Sequence, residues 1–291
     1  MTKLKVAAAL VVLAGTATAT LAVAGGPGPN GPSFSIRPVT DRPDLAATRS
    51  YFIFTTGAGS TIESDVRVTN VGDAVGLVLL YPVDATTGQT SGTVYRPRSA
   101  PRRGVGAWLR LPLGRLRLDP GESKIIPLQL VVPSRADSGQ HVGGLVAESV
   151  SHRTQAAAGG RPGSGSFRIN LRFLTIVAVQ LNVPGRRLER MEVADVKADR
   201  IPGYQRLQIG LYNAGNVMLK PLIDLRVTSP GGRSVLTRKI RLDSFLPKTA
   251  IHYPLYLRER GIRPGRYRAS ITLGYGHGHQ ARYQTWFKIS S

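Results

Sequence analysis

Residues 106–144, GAWLRLPLGRLRLDPGESKIIPLQLVVPSRADSGQHVGG, contain two strand patterns separated by a tight turn. In the turn, Pro120 restricts φ to about −65° and Gly121 accepts the positive φ that the third residue of a type II turn requires. After the turn, apolar side chains recur at every second residue over 126–132, as in a strand with one buried face. Pro127 restricts that strand to a sheet edge or a bulge. Such signals recur about every 8–12 residues, so the sequence predicts an all-β protein of the immunoglobulin-like sandwich type.

Several other short segments stand in a regular order along the chain. They are FSIRPV (34–39), YFIF (51–54), VRVTNVGD (66–73), LYPVDATTGQ (80–89), LDPGES (118–123), VPSRADSGQ (132–140), HVGGLVAES (141–149) and VPG (183–185). In order and spacing they resemble the N-terminal domain of the WxL-interacting proteins, surface proteins of Gram-positive bacteria. The resemblance covers residues 33–185, and the rest of the chain is loosely similar to the family's second β-sandwich. It implies a peptidoglycan-associated first domain, a second domain that binds proteins such as those carrying the WxL domain, and no catalysis.

The chain divides into a signal peptide and two predicted domains. Residues 1–24 combine Lys3 and Lys5, an apolar stretch and a small-x-small cleavage site, which is typical of a secretory signal peptide. We expect immunoglobulin-like sandwich domains at 33–184 and 186–291 and, without any cysteine, stabilisation by apolar cores alone. No later segment is long and apolar enough for a membrane helix. Because the family's C-terminal membrane helix and a sortase motif are both missing, we expect non-covalent retention at the cell wall.

An internal repeat indicates that the two predicted domains are similar. VRVTNVG (66–72) and IGLYNAG (209–215) each place an alternating strand before Asn-x-Gly. In such a corner Asn bonds to its own backbone, and we expect Gly to adopt left-handed φ. LDPG (118–121) and LPKT (246–249) each precede the next alternating strand. The same order of strands therefore occurs twice.

The charge of the chain is strongly positive and unevenly distributed. There are 39 Lys and Arg against 17 Asp and Glu, a net charge of +22. Residues 25–184 carry 17 basic and 10 acidic side chains, whereas residues 185–291 carry 20 and 7. This excess suits peptidoglycan-associated anionic polymers, although compositional drift toward arginine is an alternative. Nucleic acid is not an expected partner, because the chain has an export signal and no RNP-type, zinc-finger or helix-turn-helix pattern.

Alternation in the second predicted domain indicates one exposed, basic sheet face. The strands 265–274 and 282–289 should form a hairpin, with the strand 222–228 as the other neighbour of the first of them. Their outward-facing residues are the candidate anion- or glycan-binding residues Arg226, Arg266, Arg268, Arg282, Trp286 and Lys288. A tryptophan ring can stack on a sugar while guanidinium groups pair with anions. Solvated charges on an ordinary sheet face are the alternative.

A proline-containing loop in the first predicted domain is the secondary candidate. It collects Arg96, Arg98, Arg102 and Arg103 around two prolines, which lowers the ordering cost of binding an anion. Charged loops of this kind are commonly just solvated, and that alternative stays open. For Trp108, which follows the loop, we expect a packing role.

Motifs of enzymes are missing from the sequence. There is no Gly-x-Ser-x-Gly or HExxH motif, no Ser-x-x-Lys with its partner motifs, and no cysteine for thiol catalysis. His277 and His279 could approach one metal ion, but residues 276–280 also suit a turn between the last two strands. We expect no catalytic residue, metal or cofactor, so replacing both histidines with Ala should leave the function unchanged. The alternative is a wall-polysaccharide hydrolase or a metal-assisted hydrolase that uses these histidines.

Residues 173–179 form the most apolar part of a long predicted strand. Alternation is lost there, because Leu174 and Ile176 join Phe173, Val177 and Val179. Both faces of the strand should then be covered, either by the second predicted domain or by a partner protein. The expected function is that of a secreted, non-catalytic cell-wall binding and scaffolding protein. A chaperone-like subunit that pairs β-strands with a partner is a third possibility.

Overall fold

The computed structural model describes residues 31–39, 44–112, 114–150, 153–157, 167–171, 173–257 and 261–290. The predicted signal peptide lies outside these residues. Nearly all of the regular structure is β, which confirms the predicted all-β class. The strands are β1 (Phe34–Pro38), β2 (Phe52–Thr55), β3 (Thr61–Asn70), β4 (Gly76–Thr87), β5 (Thr93–Tyr95), β6 (Leu109–Arg110), β7 (Arg115–Leu118), β8 (Ser123–Val131), β9 (Gly139–Ser149), β10 (Arg153–Ala157), β11 (Phe167–Leu171), β12 (Leu174–Val183), β13 (Met191–Ile201), β14 (Tyr204–Asn213), β15 (Leu222–Thr228), β16 (Ser234–Arg241), β17 (Ala250–Leu257), β18 (Gly265–Tyr275) and β19 (His279–Ile289).

Helical structure is limited to single turns in the described ranges. They are a 3-10 turn at Ala46–Arg49 and an α-helical turn at Val105–Trp108. None of the helices found in the described ranges has the length and apolar character needed to span a membrane.

Residues 31–183, here called the N-terminal half, form two larger sheets around one apolar core. One sheet has the order β1-β3-β8-β6, and the other has the order β2-β12-β9-β4-β5, with β7 also pairing with β4. Alternate residues of both sheets point inward, among them Val66, Leu128, Leu145 and Leu181, and their side chains are almost completely buried. Trp108 packs against this core, as expected, and its ring lies 4.9 Å from the His141 ring. The strands β10 and β11 form a separate hairpin.

Residues 191–290, the C-terminal half, have a second apolar core of their own. The sheets β13-β14-β17 and β16-β15-β18-β19 enclose it. The inward-facing residues include Leu207, Ile209, Leu225 and Phe245, all fully buried. The two buried clusters have no member in common. Each half therefore buries apolar surface as a layered sheet pair does.

The turn at residues 119–122 has the predicted geometry. Gly121 has φ of +76°, and the Glu122 N–H donates to the Asp119 carbonyl at 3.0 Å. Pro127 lies at a sheet edge, also as predicted. On one side it faces Asp65 of β3, while the two-residue strand β6 pairs with β8 only at positions 129 and 130.

The repeated Asn-x-Gly corners have matching hydrogen bonds. Asn70 Nδ2 donates to the carbonyls of Ala74 (2.8 Å) and Leu118 (3.1 Å), and its Oδ1 accepts from Gly72 N–H (3.0 Å). Asn213 Nδ2 donates to the carbonyls of Val217 (2.9 Å) and Phe245 (3.0 Å), and its Oδ1 accepts from Gly215 N–H (3.0 Å). Both asparagines are fully buried.

The glycines of these corners correct one expectation. Neither Gly72 nor Gly215 has positive φ. Glycine is required by space instead, because a Cβ would lie 2.3 Å from the Gly31 carbonyl oxygen at position 72 and 2.3 Å from the Leu188 carbonyl oxygen at position 215. The left-handed residues of the repeat lie elsewhere, at Gly121 (φ +76°) and Lys248 (φ +57°). Their N–H groups donate to the carbonyls of Asn70 and Asn213, both at 2.9 Å.

The two halves contact each other through specific polar groups. Asn216 Nδ2 donates to the carbonyls of Ser138 (3.0 Å) and Arg186 (2.8 Å), and its Oδ1 accepts from Leu188 N–H (2.7 Å). Gln140 Oε1 accepts from the Met218 N–H at 2.6 Å. A second group of contacts joins Thr87 to the turn after Phe245: Thr87 Oγ1 accepts from Leu246 N–H and lies 2.6 Å from Thr249 Oγ1. Asn216 of the C-terminal half therefore bonds both to Ser138 of the N-terminal half and to the connection at residues 184–190.

Candidate functional site: the basic face of the C-terminal sheet

The sheet β16-β15-β18-β19 has the pairing that the sequence predicted for its last three strands. The strands β18 and β19 form a hairpin in which Arg266 is opposite Lys288 and Arg268 is opposite Trp286. The strand β15 pairs with the other edge of β18, where Arg226 is opposite Ser270. These positions have alternating burial, with Tyr267, Ala269 and Ile271 buried between them.

All six candidate residues lie on the exposed face of this sheet. Each of Arg226, Arg266, Arg268, Arg282, Trp286 and Lys288 is exposed. Of these, Arg282 is the most distant from Trp286 along β19, and its partner in the pairing is Thr272. The structure therefore places the predicted residues on one surface.

Trp286 is the centre of this surface. It is 44% exposed, a large value for so apolar a side chain. The guanidinium carbon of Arg266 lies 4.9 Å from the centre of its ring, and that of Arg268 lies 6.0 Å away. Contacts of this type restrict long arginine side chains and add a favourable electrostatic interaction. The ring and the two cations are thus held together before a ligand arrives.

The fourth strand, β16, adds residues that the sequence argument did not include. In register, Lys239 is opposite Asp224 and Arg241 is opposite Leu222 on the same face. Both cations are exposed, and Lys239 Nζ lies 3.9 Å from an Asp224 oxygen. Lys239 and Arg241 stand two residues apart, which places them on one face of a strand, but this spacing does not show which sheet the strand joins.

The secondary candidate loop is organised around one carboxylate. Asp84 accepts hydrogen bonds from the backbone N–H groups of Arg103 (2.6 Å), Gly104 (3.1 and 3.2 Å) and Gly106 (2.7 Å). The guanidinium carbon of Arg98 lies 5.4 Å from the centre of the Tyr81 ring. The side chains of Arg96, Arg98, Arg102 and Arg103 are all exposed. Asp84 therefore shapes the loop, while its four arginine residues are exposed.

The two neighbouring histidines contact a glutamate far away in the sequence. His277 Nδ1 lies 2.7 Å from Glu189 Oε1, the His277 N–H donates to Oε2 at 3.0 Å, and His279 Nε2 lies 3.6 Å from Oε2. The Glu189 side chain is only 9% exposed. Within the described ranges, no three or more His, Asp or Glu side chains are grouped to hold a metal ion. The geometry is that of a carboxylate clamp between the connection at 184–190 and the β18–β19 turn.

This clamp leads to a prediction about pH. The backbone hydrogen bond from His277 lowers the pKa of Glu189 below 4.5, with further lowering by the His277 side chain and the charges of His277 and His279. A carboxyl group whose pKa is lowered by folding stabilises the folded state above its ordinary pKa, and that stabilisation is lost as pH falls through the folded-state value. Replacing Glu189 with Gln should therefore destabilise the protein at pH 7, and the difference from wild type should shrink below pH 4.5. Denaturant unfolding between pH 7 and pH 3 measures it.

Glu192→Gln is the matched control for this measurement. Glu192 forms an exposed ion pair with Arg190 Nε at 2.8 Å, so its removal should change the free energy of unfolding little. A Glu189→Gln difference that stays constant from pH 7 to pH 3 would contradict the assigned role of the carboxylate.

The outer face of β12 is exposed at apolar residues that the sequence predicted to be covered. Leu174 is 47% exposed and Ile176 is 38% exposed, so the C-terminal half does not cover them. The expectation of cover by the second predicted domain is therefore wrong, because the contacts between the halves lie at Ser138, Gln140 and Thr87. The face is bordered instead by residues of β4, β5 and the arginine loop.

The chain matches no family model and no curated protein sequence. It is similar to solved structures of fimbrial chaperones. The CsuC–CsuE chaperone–adhesin pre-assembly complex of Acinetobacter baumannii matches with 10% identity over 88% of this chain and 98% of that chain, at a TM-score of 0.38. The class 5 fimbriae chaperone CfaA matches with 14% identity over 88% and 99%, at 0.37, and the Escherichia coli chaperone DraB with 15% identity over 90% and 99%, at 0.33. With TM-scores below 0.5, none of these similarities identifies what this chain binds.

Proposed function

We propose that this chain is an exported, non-catalytic protein that binds peptidoglycan-associated anionic polymer at the bacterial cell wall and scaffolds surface proteins there. We further propose two tandem immunoglobulin-like domains, at residues 33–184 and 186–291. The two separate apolar cores and the repeated asparagine corners support this division. Membership of the WxL-interacting family remains a prediction from the order of the sequence segments.

One observation carries the binding proposal: the exposed Trp286 ring with Arg266 and Arg268 against it. A ring of this kind can cover the apolar face of a sugar or polyol, while the guanidinium groups pair with phosphate or carboxylate. Strong positive charge around it attracts an anionic polymer and speeds its association. No covalent chemistry is needed for this function.

The decisive test replaces Arg226, Arg266 and Arg268 with Ser in one variant. These side chains are exposed and their strands are held by the core behind them, so the variant should fold normally. Sedimentation with purified cell wall should fall several-fold for the variant. Wild-type binding should decrease steeply with added salt, because exposed charges are screened over about 10 Å at 0.1 M.

The control for this test has the same charge change in the arginine loop. Arg96, Arg98 and Arg102 replaced together with Ser should retain wall binding. If the loop variant loses binding and the sheet variant keeps it, the site lies in the N-terminal half instead. Release of soluble wall fragments by wild type would overturn the non-catalytic proposal and favour the hydrolase alternative.

A second candidate function rests on the open side of β12. The parallel strand β2 pairs with β12 only at positions 179–182, so residues 174–178 lack this neighbour. The exposed Leu174 and Ile176 lie next to that edge, although Thr175 Oγ1 donates to the Phe34 carbonyl of β1 at 2.7 Å. An exposed strand edge beside apolar side chains can accept an extended strand from another protein. We propose a strand of a partner surface protein as the occupant.

Hydrogen exchange tests this second function. On addition of a purified surface protein that co-sediments with the chain, those amides of residues 174–178 that do not donate to β9 should become protected. Leu174→Lys combined with Ile176→Lys should abolish that protection without affecting binding to wall polymer. Protection confined to the C-terminal sheet would reject β12 as the docking strand.

A further inference from the structure

The cations of the C-terminal sheet are arranged as a diagonal stripe across its four strands. Strand pairing defines their relative positions: Arg241 and Lys239 on β16, then Arg226 on β15, then Arg268 and Arg266 on β18, with Trp286 and Lys288 on β19. Lys239 on β16 is level with residue 224 of β15, Arg226 lies two residues further along β15, and Arg268 on β18 is level with residue 228. The cations therefore shift toward the C-terminal end of β15 with each strand from β16 to β18. The stripe is thus a consequence of register and was not visible from the alternation of each strand alone.

The spacing of the stripe follows from sheet geometry. Same-face neighbours along a strand are about 6.8 Å apart and adjacent strands are about 4.8 Å apart, so a diagonal step is about 8 Å. Four rows separate Arg241 from Arg266, which gives a stripe about 30 Å long. That length exceeds what a single sugar or a single phosphate can contact.

Arg282, a candidate from the sequence, lies outside the stripe and is not assigned to the polymer site. It pairs with Thr272 in the row that contains Asp224, and one strand, β18, lies between it and that aspartate. Asp224 is also the acidic side chain at the margin of the stripe, where its carboxylate lies 3.9 Å from Lys239 Nζ. The face therefore carries exposed cations inside the stripe and the exposed Arg282 outside it, all with the same charge.

We infer that this face binds a linear polyanion lying along the stripe, with one phosphate or carboxylate on each repeat. The inference rests on the proposed function and specifies its ligand: an extended polyol-phosphate or glycan chain of at least four to five repeats. Trp286, held by Arg266 and Arg268, contacts the carbon backbone of the chain at one end. Lys239 and Arg241 hold the other end. Such multipoint binding is weak for each charge and strong for a chain that spans them all.

The test compares chain length and position of charge. Synthetic poly(glycerol phosphate) with two and with eight phosphates is titrated against wild type, Lys239→Ser/Arg241→Ser and Arg282→Ser. Wild type should bind the eight-phosphate chain at least tenfold more tightly than the two-phosphate chain. The double variant should lose about fivefold for the long chain and little for the short one, since an exposed charge contact contributes about 0.2–1 kcal/mol. Arg282→Ser should bind both chains nearly as wild type does.

The outcomes separate the stripe from the proposed function. If wild type binds neither wall nor chain, the proposed function fails. If it binds both chains but Arg282→Ser is as weak as the double variant, only the stripe is overturned. An oligoglucuronate with the same number of charges distinguishes carboxylate from phosphate polymers, and binding of either supports the stripe. Tighter binding of single-stranded DNA with eight phosphates would overturn the assignment to a wall polymer.

Discussion

Replacing Asn213 with Ala should lower the free energy of unfolding of the C-terminal half by about 3 kcal/mol or more. The side chain is fully buried and joins three backbone groups, the carbonyls of Val217 and Phe245 and the N–H of Gly215. Alanine removes all three hydrogen bonds, although the Phe245 carbonyl keeps the Leu219 N–H (3.1 Å) and the Gly215 N–H keeps the Arg190 carbonyl (3.1 Å). Leaving the buried Val217 carbonyl unsatisfied costs about 1–3 kcal/mol, and each of the other two lost bonds costs about 1 kcal/mol, so the total is several times larger than the effect of an ordinary surface substitution.

The two tryptophans allow this prediction to be measured separately for each half. Trp108 packs against the N-terminal core and Trp286 lies on the C-terminal sheet. In Trp108→Phe the remaining fluorescence reports the C-terminal half, and in Trp286→Phe it reports the N-terminal half. Asn213→Ala should shift the first transition in denaturant more than the second, and Asn70→Ala should do the reverse. A shift of less than 1 kcal/mol in both backgrounds would contradict the role assigned to these corners.

The corners also show what the sequence could predict. Local chemistry was sufficient for the all-β class, the type II turn at Gly121 and the repeat of Asn70 in Asn213. It was sufficient for the basic face as well, because side chains alternate along a strand and one hairpin determines the relative positions of β18 and β19. These features depend on neighbours in sequence or on a single strand pairing.

The features that sequence could not predict depend on distant contacts. Glu189 reaches His277 across 88 residues, and no local pattern joins them. Lys239 and Arg241 join the basic face only because β16 pairs with β15, which a single sequence does not specify. Leu174, which is exposed, is a further example of a feature that the sequence does not determine. An apolar run indicates that a face should be covered, but it does not identify the covering molecule.

Gly215 lies beside several of these contacts, and replacing it should cause the second large loss of stability. A Cβ at this position would lie 2.3 Å from the Leu188 carbonyl oxygen and 2.9 Å from the Arg190 nitrogen. Backbone atoms of this kind cannot move aside as a flexible side chain can, so Gly215→Ala should displace the connection at 184–190. We expect a loss of about 2–3 kcal/mol in the free energy of unfolding, the upper part of the range for overpacking.

The same displacement should be detectable at two other contacts. Leu188 accepts from the Asn216 N–H at 2.9 Å, and Glu189 lies between the two residues that the new Cβ would push. Gly215→Ala should therefore weaken the contacts of Asn216 with the N-terminal half and separate Glu189 from His277. In unfolding experiments the variant should then lose the acid-dependent contribution of Glu189.

Gly231→Ala is the control, because a Cβ there would have no atom within 4 Å. If Gly215→Ala is as stable as Gly231→Ala and keeps the pH dependence of wild type, the connection is not held at the corner, and the coupling between Asn216, Glu189 and the two halves must be abandoned.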